Sequence, residues 1–413
     1  MDRLDNTIRT YDWGSPTALP ELMGTVPDGT PQAELWMGAH PSAPSLVTRG
    51  GRPAPLDEVV AADPGAELGD ATVRRFGPRL PFLLKLLAAD SPLSLQVHPD
   101  AARAAAGHAR ENAAGVPLDA PHRTYRDAHH KPEMIVALSP FEGLCGFRPA
   151  GECAELLDSL GVDGLAPYVK ALRSGPEEEA LREVFSAFLT SPDPALLAGV
   201  TRALGRAARA GGAWRRECAA YEDVARVHPG DPGLLAALMV RRVRLAPGEA
   251  LFLGAGVPHA YLRGLGVEVM AGSDNVLRCG LTTKHVDVDE LLRVVRFTAG
   301  PAGVVRPVVL DGGEEVYPAP VDDFRLSRLR PGAARAAYHL DGAGPQILVC
   351  THGRVRLAGR KDELVLGPGA SAYVPAGEEV AVTGGGTAFR ATVAVGRSTP
   401  TGHPQPLRQM NDN

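Results

Sequence analysis

The stretch "SLQVHPD" (94–100) sets an amide and an imidazole two residues apart in a short apolar run that Pro99 ends. Residues two apart on a strand share a face, so Gln96 and His98 would reach the same space. Polar groups buried on one face are costly unless something satisfies them. A divalent cation would satisfy both, and three other stretches offer side chains to complete such a site. In "HHKPEMIVAL" (129–138), Lys131 and Glu133 fall on one face of a segment leading into an apolar strand, with His130 on the other. In "GVPHAYL" (256–262), His259 stands in a strand between Pro258 and Tyr261. Residues 267–292 gather Glu268, Asp274, Asn275, Arg278 and Lys284 in one segment.

Each feature has a plainer reading by itself. Gln96 and His98 could be a hydrogen-bonded strand pair, His259 a satisfied histidine beside a turn, and Lys131 with Glu133 a surface ion pair. Trp13 and Trp36 read as core aromatics, Met270 as plain core, and His108, His122, His228 and His403 receive no role. Together, Gln96, His98, Glu133 and His259 make an oxygen and nitrogen ligand set, with His130 a rival to Glu133. Two neutral imidazoles, one carboxylate and one amide oxygen leave a divalent ion near +1. Such an ion remains a Lewis acid, whereas thiolates would quench it.

The elements that must position these groups follow from composition and texture. A chain of 413 residues predicts two or three domains. Hydrophobic content of 44% and charged content of 22% describe a globular chain. Lys and Arg number 43 against 48 Asp and Glu, a net charge of −5 without a basic cluster. That argues against a nucleic-acid partner but leaves room for a local cationic pocket. No apolar signal region opens the sequence and no run approaches a membrane span. Five scattered cysteines without a C-x-x-C argue against a disulfide framework and a thiolate zinc site, so a cytoplasmic chain is expected.

Residues 1–150 read mostly as short strands, with a loop or lid and a short Ala-rich helix over 101–128. Residues 151–240 read as an insert of four to six helices. There "EEEALREVFSAFLT" places Leu181, Val184, Phe185, Phe188 and Leu189 at helical spacing, and Asp193-Pro194 and Asp231-Pro232 look like caps followed by Pro at the first helical position. Strands return over 241–310 and again over 311–413. "LAPGEALFLGAGVPH" and "LGPGASAYVPAGEE" share a strand–PG–strand element, with Glu378 in the second copy taken as the counterpart of His259. The C-terminal copy is therefore expected to lack a metal site.

The chain resembles the type I phosphomannose isomerases. The resemblance rests on "YDWGS", "AELWMGAHPSAPS", "LPFLLKLL", "PLSLQVHPD", "HKPEM", "GLCGFR", "PHAYL" and "EVMAGSDNVLRCGLTTKHVDVDELL", in order across residues 1–292. Thr283 and Gly272 depart from it, standing where the family usually has Pro and Asn. The resemblance implies a mainly β fold of two to three cupin-type β-barrels with an α-helical insert, residues 241–310 completing the catalytic barrel. It implies one Zn2+ per chain on Gln96, His98, Glu133 and His259, deciding for Glu133 over His130. It also implies a sugar pocket lined by Trp13, Glu34, Lys85, Lys131, Tyr261, Glu268, Arg278 and Lys284.

The implied reaction interconverts mannose 6-phosphate and fructose 6-phosphate through an enediol. It needs a base and positive charge beside two oxygens. Arg278 suits a clamp on developing charge or phosphate. Lys131 is the expected base, with Glu268 or a metal-bound hydroxide as rivals, while Lys85, Lys284 and Ser94 are expected to hold the phosphate. A small phosphorylated sugar is the expected partner, with no nucleic acid or membrane, and the chain is expected to be a monomer. The rival readings are a non-catalytic sugar-phosphate-binding cupin and an iron-dependent cupin oxygenase.

Overall fold

One strand of 13 residues, His259–Ala271, serves two layers of sheet in the computed structural model. The structure describes residues 1–190, 193–300, 303–332 and 337–395, so His403 lies outside it. The second half of the long strand pairs antiparallel with Phe82–Ala89 and Glu133–Ala137. Its first half pairs with Leu95–Val97 and Phe141–Phe147, with a register shift between Tyr261 and Arg263. Gly264 makes the crossing possible. It sits at φ 132, and a Cβ there would meet the Phe141 ring at 2.6 Å and the Pro140 carbonyl oxygen at 2.9 Å.

Among the described residues this sheet has 11 strands. Alternation along them separates core from site. In the first layer Leu95, Val97, Ala260, Leu262, Leu277 and Cys279 turn outward into a core shared with the helical insert. In the second layer Leu84, Leu86, Met134, Val136, Val267 and Val269 turn outward into a core shared with the C-terminal sheet. The residues between them, among them Gln96, His98, His259, Arg278, Lys85, Glu133 and Glu268, share the opposite faces. Burying the apolar set drives the layers together, at roughly 25 cal/mol per Å² of apolar surface, and the polar set is carried into the interior with it.

The helical insert contains Ala150–Ser159, Ala166–Leu172, Glu177–Thr190, Pro194–Ala210, Arg215–Val227 and Gly233–Leu238, with a short 3-10 turn at Asp163–Leu165. Leu181, Val184, Phe185 and Phe188 are buried, as their spacing predicts. Asp193 caps its helix by accepting from the Ala195 amide at 2.8 Å, with Pro194 at the first helical position. Asp231 differs, because Pro232 is the capping position of Gly233–Leu238. Its carboxylate accepts from the Gly233 amide at 2.7 Å and reaches across to the Thr282 amide at 2.8 Å. That second bond ties the insert to the loop carrying Lys284, where buried Leu281 is held at φ 57. The lid segment carries a full helix, Ala101–Ala113, longer than the short one expected. The Tyr125 ring lies flush on it at Gly107, where a Cβ would come within 2.4 Å.

The C-terminal sheet has nine strands among the described residues. Gln346–Ala358 and Val380–Thr392 pair along nearly their whole length. The N-terminal strand Asp2–Leu4 joins this sheet, pairing with Ser371–Tyr373. Strand order corrects the expected counterpart of His259. Five residues separate Ala250–Leu253 from His259, and five separate Ser371–Val374 from Val380. Val380 therefore opens the second long strand as His259 opens the first. Glu378 lies in the turn, its carboxylate accepting from the Met1 amino group at 2.8 Å.

Candidate active site

His98 and His259 are each 1% exposed, and their rings lie 4.9 Å apart. The His98 Nδ1 donates to the Asn275 carbonyl at 2.9 Å, and the His259 Nδ1 donates to the Val257 carbonyl at 2.9 Å. A carbonyl oxygen only accepts, so each ring carries its proton on Nδ1 and turns a lone pair outward at Nε2. Both Nε2 atoms are buried without a hydrogen-bond partner. They face the two oxygens of Glu133, His98 at 3.4 Å and His259 at 3.6 Å. Burial pushes the His98 imidazole down to about 4, against the pull of Glu133, so the ring is neutral near pH 7.

Lone pairs facing a carboxylate without a proton between them repel, and a cation resolves the conflict. His98, Glu133 and His259 offer ligand atoms that all lie within 4.8 Å of one another. Gln96 pairs directly with His259 across the ladder, so their side chains share a face. The donor set fits a divalent cation of borderline softness, with imidazole orientation fixed by outer bonds to backbone. His130 takes no part in this cluster. The strand begins at Glu133, so alternation does not extend back to it, and its Nε2 donates to buried Asp323 at 2.9 Å.

A second network adjoins the first. Trp36 Nε1 donates to Glu34 Oε2 at 2.7 Å, and Tyr261 OH donates to Glu268 Oε1 at 2.8 Å. Between these carboxylates lies the Lys85 ammonium, 3.4 Å from Glu34 and 3.2 Å from Glu268. Burial disfavours its charge, but Glu34, Glu268 and Glu133 outweigh that and raise it above the ordinary lysine value. Burial raises the Glu268 carboxyl, with Lys85 opposing and Glu133 and Glu34 adding to the rise. Lys85 was expected beside a phosphate, yet two carboxylates already neutralise it. Trp36, expected as plain core, also serves this network, its ring 5.1 Å from the Lys85 ammonium. Met270 is core, at 2% exposed.

Lys131 Nζ lies 3.6 Å from Glu133 Oε1, and the side chain is 11% exposed. Arg278 stands opposite Gln96 in the pairing of Leu277–Gly280 with Leu95–Val97, and Lys284 follows on an exposed loop. Ser94 is half-buried one residue ahead of Leu95–Val97, in phase with Gln96. Trp13 packs against the interior cluster that contains Tyr261 and Leu87, and stacks on Tyr11 at 5.6 Å.

Sequence reasoning named Asn275 without giving it a task. The side chain is fully buried. Its Oδ1 accepts from the Arg126 amide at 2.8 Å, and its Nδ2 donates to the carbonyls of Asp127 at 2.8 Å and His129 at 2.9 Å. The same residue's carbonyl orients His98. Its position in "SDN" beside a strand break was the only signal. Replacing Asn275 by Ala leaves several buried backbone groups unpaired, and roughly 2–4 kcal/mol of stability is expected to be lost. Urea unfolding with an unchanged midpoint would contradict that role.

No helix among the described residues is long and apolar enough to cross a membrane. Comparisons with known proteins agree with the chemistry of the cluster. Residues 1–150 match the family model of the phosphomannose isomerase type I catalytic domain. A mannose-6-phosphate isomerase of Escherichia coli (strain K12) is 41% identical over 397 residues, covering 94% of this chain and 99% of its own. A mutant phosphomannose isomerase from Salmonella typhimurium superposes with a TM-score of 0.88 at 38% identity, covering 95% of this chain and 99% of that one. A zinc-bound mannose 6-phosphate isomerase structure gives 0.87 at 38% identity with the same coverage.

Proposed function

The chain belongs to the type I phosphomannose isomerase family, and from that membership we propose that it interconverts mannose 6-phosphate and fructose 6-phosphate by moving a proton between C1 and C2 through an enediol. It is an enzyme of the isomerase class with a phosphorylated sugar as substrate. Gln96, His98, Glu133 and His259 hold a single Zn2+ in this reading. The observation that carries it is the pair of buried, unpartnered Nε2 atoms aimed at one carboxylate. A zinc ion held there would supply Lewis acidity for the proton transfer.

The remaining work falls to side chains of the cleft. Both oxygens of Glu268 are engaged, by Tyr261 and Lys85. Glu268 thus fixes Lys85 and Tyr261 against the sugar hydroxyls. Lys131 has Glu133 as its near neighbour, and loses that counter-ion once Glu133 serves as a ligand. Lys131 is accordingly assigned as the proton carrier. Arg278, adjacent to Gln96 but outside the ligand set, stabilises the oxygen on which negative charge develops. Lys284 and Ser94 take the phosphate, Trp13 and Trp36 wall the sugar, and Glu34 holds Lys85 and Trp36 in place.

The test is formation of fructose 6-phosphate from mannose 6-phosphate by a coupled assay, before and after chelation and after zinc is restored. Activity should vanish on chelation and return with about one zinc per chain, the count that a single donor cluster allows. A zinc-loaded chain that forms no fructose 6-phosphate would refute the reading.

A further inference from the structure

Arg126, Arg278 and Lys284 bring three positive charges to one rim of the cleft. Among the described residues none of the three makes an ion pair with a carboxylate. Their mutual repulsion is felt. Burial and then the charge of Arg126 lower the Arg278 guanidinium below its ordinary value, and burial, Arg278 and Arg126 together lower the Lys284 ammonium. Asp274 feels the charge of Arg126 and Asp287 shares a cavity with Arg278, but neither pairs with the cluster, and like charges so placed become favourable once an anion lies among them.

Backbone geometry fixes Arg126 in this place. Its amide donates to Asn275 Oδ1 at 2.8 Å, and the Asn275 amide group holds the carbonyls of Asp127 and His129 on the following turn. Arg126 is therefore pinned to the residue three positions before Arg278, and to the one whose carbonyl orients His98. Its side chain is exposed. A small polar cavity separates the lid segment from the Arg278 strand, lined by Arg123, Thr124, Leu277, Arg278, His285 and Asp287.

We propose that Arg126 is a third phosphate-holding side chain, acting with Ser94 and Lys284 as a determinant of selectivity for phosphorylated over free sugars. This rests on reading the cleft as a sugar-phosphate site. A phosphomonoester presents about −1.5 to −2 charge and three acceptor oxygens near pH 7, which one lysine and one hydroxyl do not saturate. A guanidinium fork from the lid segment supplies the donors that remain.

The test compares Arg126→Gln and Arg126→Lys with the wild-type, zinc-loaded chain. Both the KM for mannose 6-phosphate and the inhibition constant of inorganic phosphate are measured. Losing one charged hydrogen-bond partner should raise both constants about tenfold in Arg126→Gln, more than kcat falls. Arg126→Lys should recover most of the loss. Unchanged constants in Arg126→Gln, or a fall in kcat at constant KM, would overturn the assignment. Should the wild-type chain turn over no mannose 6-phosphate, the cleft reading has failed. Titration of inorganic phosphate into wild type and Arg126→Gln then still reads this proposal, and equal affinity overturns it.

Discussion

Replacing His98 by Ala is expected to strip the bound zinc and to lower kcat roughly a thousandfold or more, the rate equivalent of the several kcal/mol that a Lewis acid contributes. The argument is geometric. His98 supplies one of two orphaned ring nitrogens, and without it only the His259 nitrogen still faces Glu133. Metal affinity in such a site depends on every protein donor, because an ion that keeps too few retains its water instead. Glu133→Gln provides the second arm. It keeps shape and one acceptor oxygen but removes the anion, so zinc should be lost in part and the fold kept. Elemental analysis and turnover together decide. Full zinc stoichiometry with undiminished turnover in His98→Ala would remove this cluster from the reaction.

Arg278→Ala should lower kcat by about 10²–10³ while zinc content and unfolding temperature hold, the usual loss when one donor aimed at developing charge is removed. The side chain is half-buried opposite Gln96 and, among the described residues, forms no ion pair with Glu133, so metal retention should not depend on it. Burial strengthens its field on a bound oxygen relative to a guanidinium in water. A lysine at 278 keeps the charge without the planar fork and should restore only part of the rate. Parallel loss of zinc would mean that Arg278 acts by holding the site together. Undiminished turnover would leave it without a chemical task.

Much of this was legible in one dimension. Gln96 and His98 alternate with Leu95 and Val97, and the structure sends the first pair inward and the second into the core beneath the helices. The helix Glu177–Thr190 and the Asp193 cap follow from spacing and capping chemistry within a few residues. Other features were not legible. The choice between His130 and Glu133 turned on where a strand begins, which apolar content alone does not mark. Asp323, the partner of His130, comes from the C-terminal part of the chain. Lys85 reads as a free cation in "LPFLLKLL" because Glu34 and Glu268 reach it from two other strands. Arg126 sits in a loop with no periodicity, and only the bonds to Asn275 reveal its place.

By itself, then, the amino-acid order determined which side chains share a face, which segments are helical and which donor types a cation would meet. Those are local properties, set by a repeat of two or 3.6 residues and by the chemistry of each side chain. The tertiary structure alone decided that residues 98, 133 and 259 converge, that Gln96 lies opposite His259, and that Lys85 is neutralised. Convergence depends on register between strands more than a hundred residues apart, as in the pairing of His259 with Gln96. That register is fixed by packing the apolar faces of both layers at once, a cooperative condition that no short window of sequence contains.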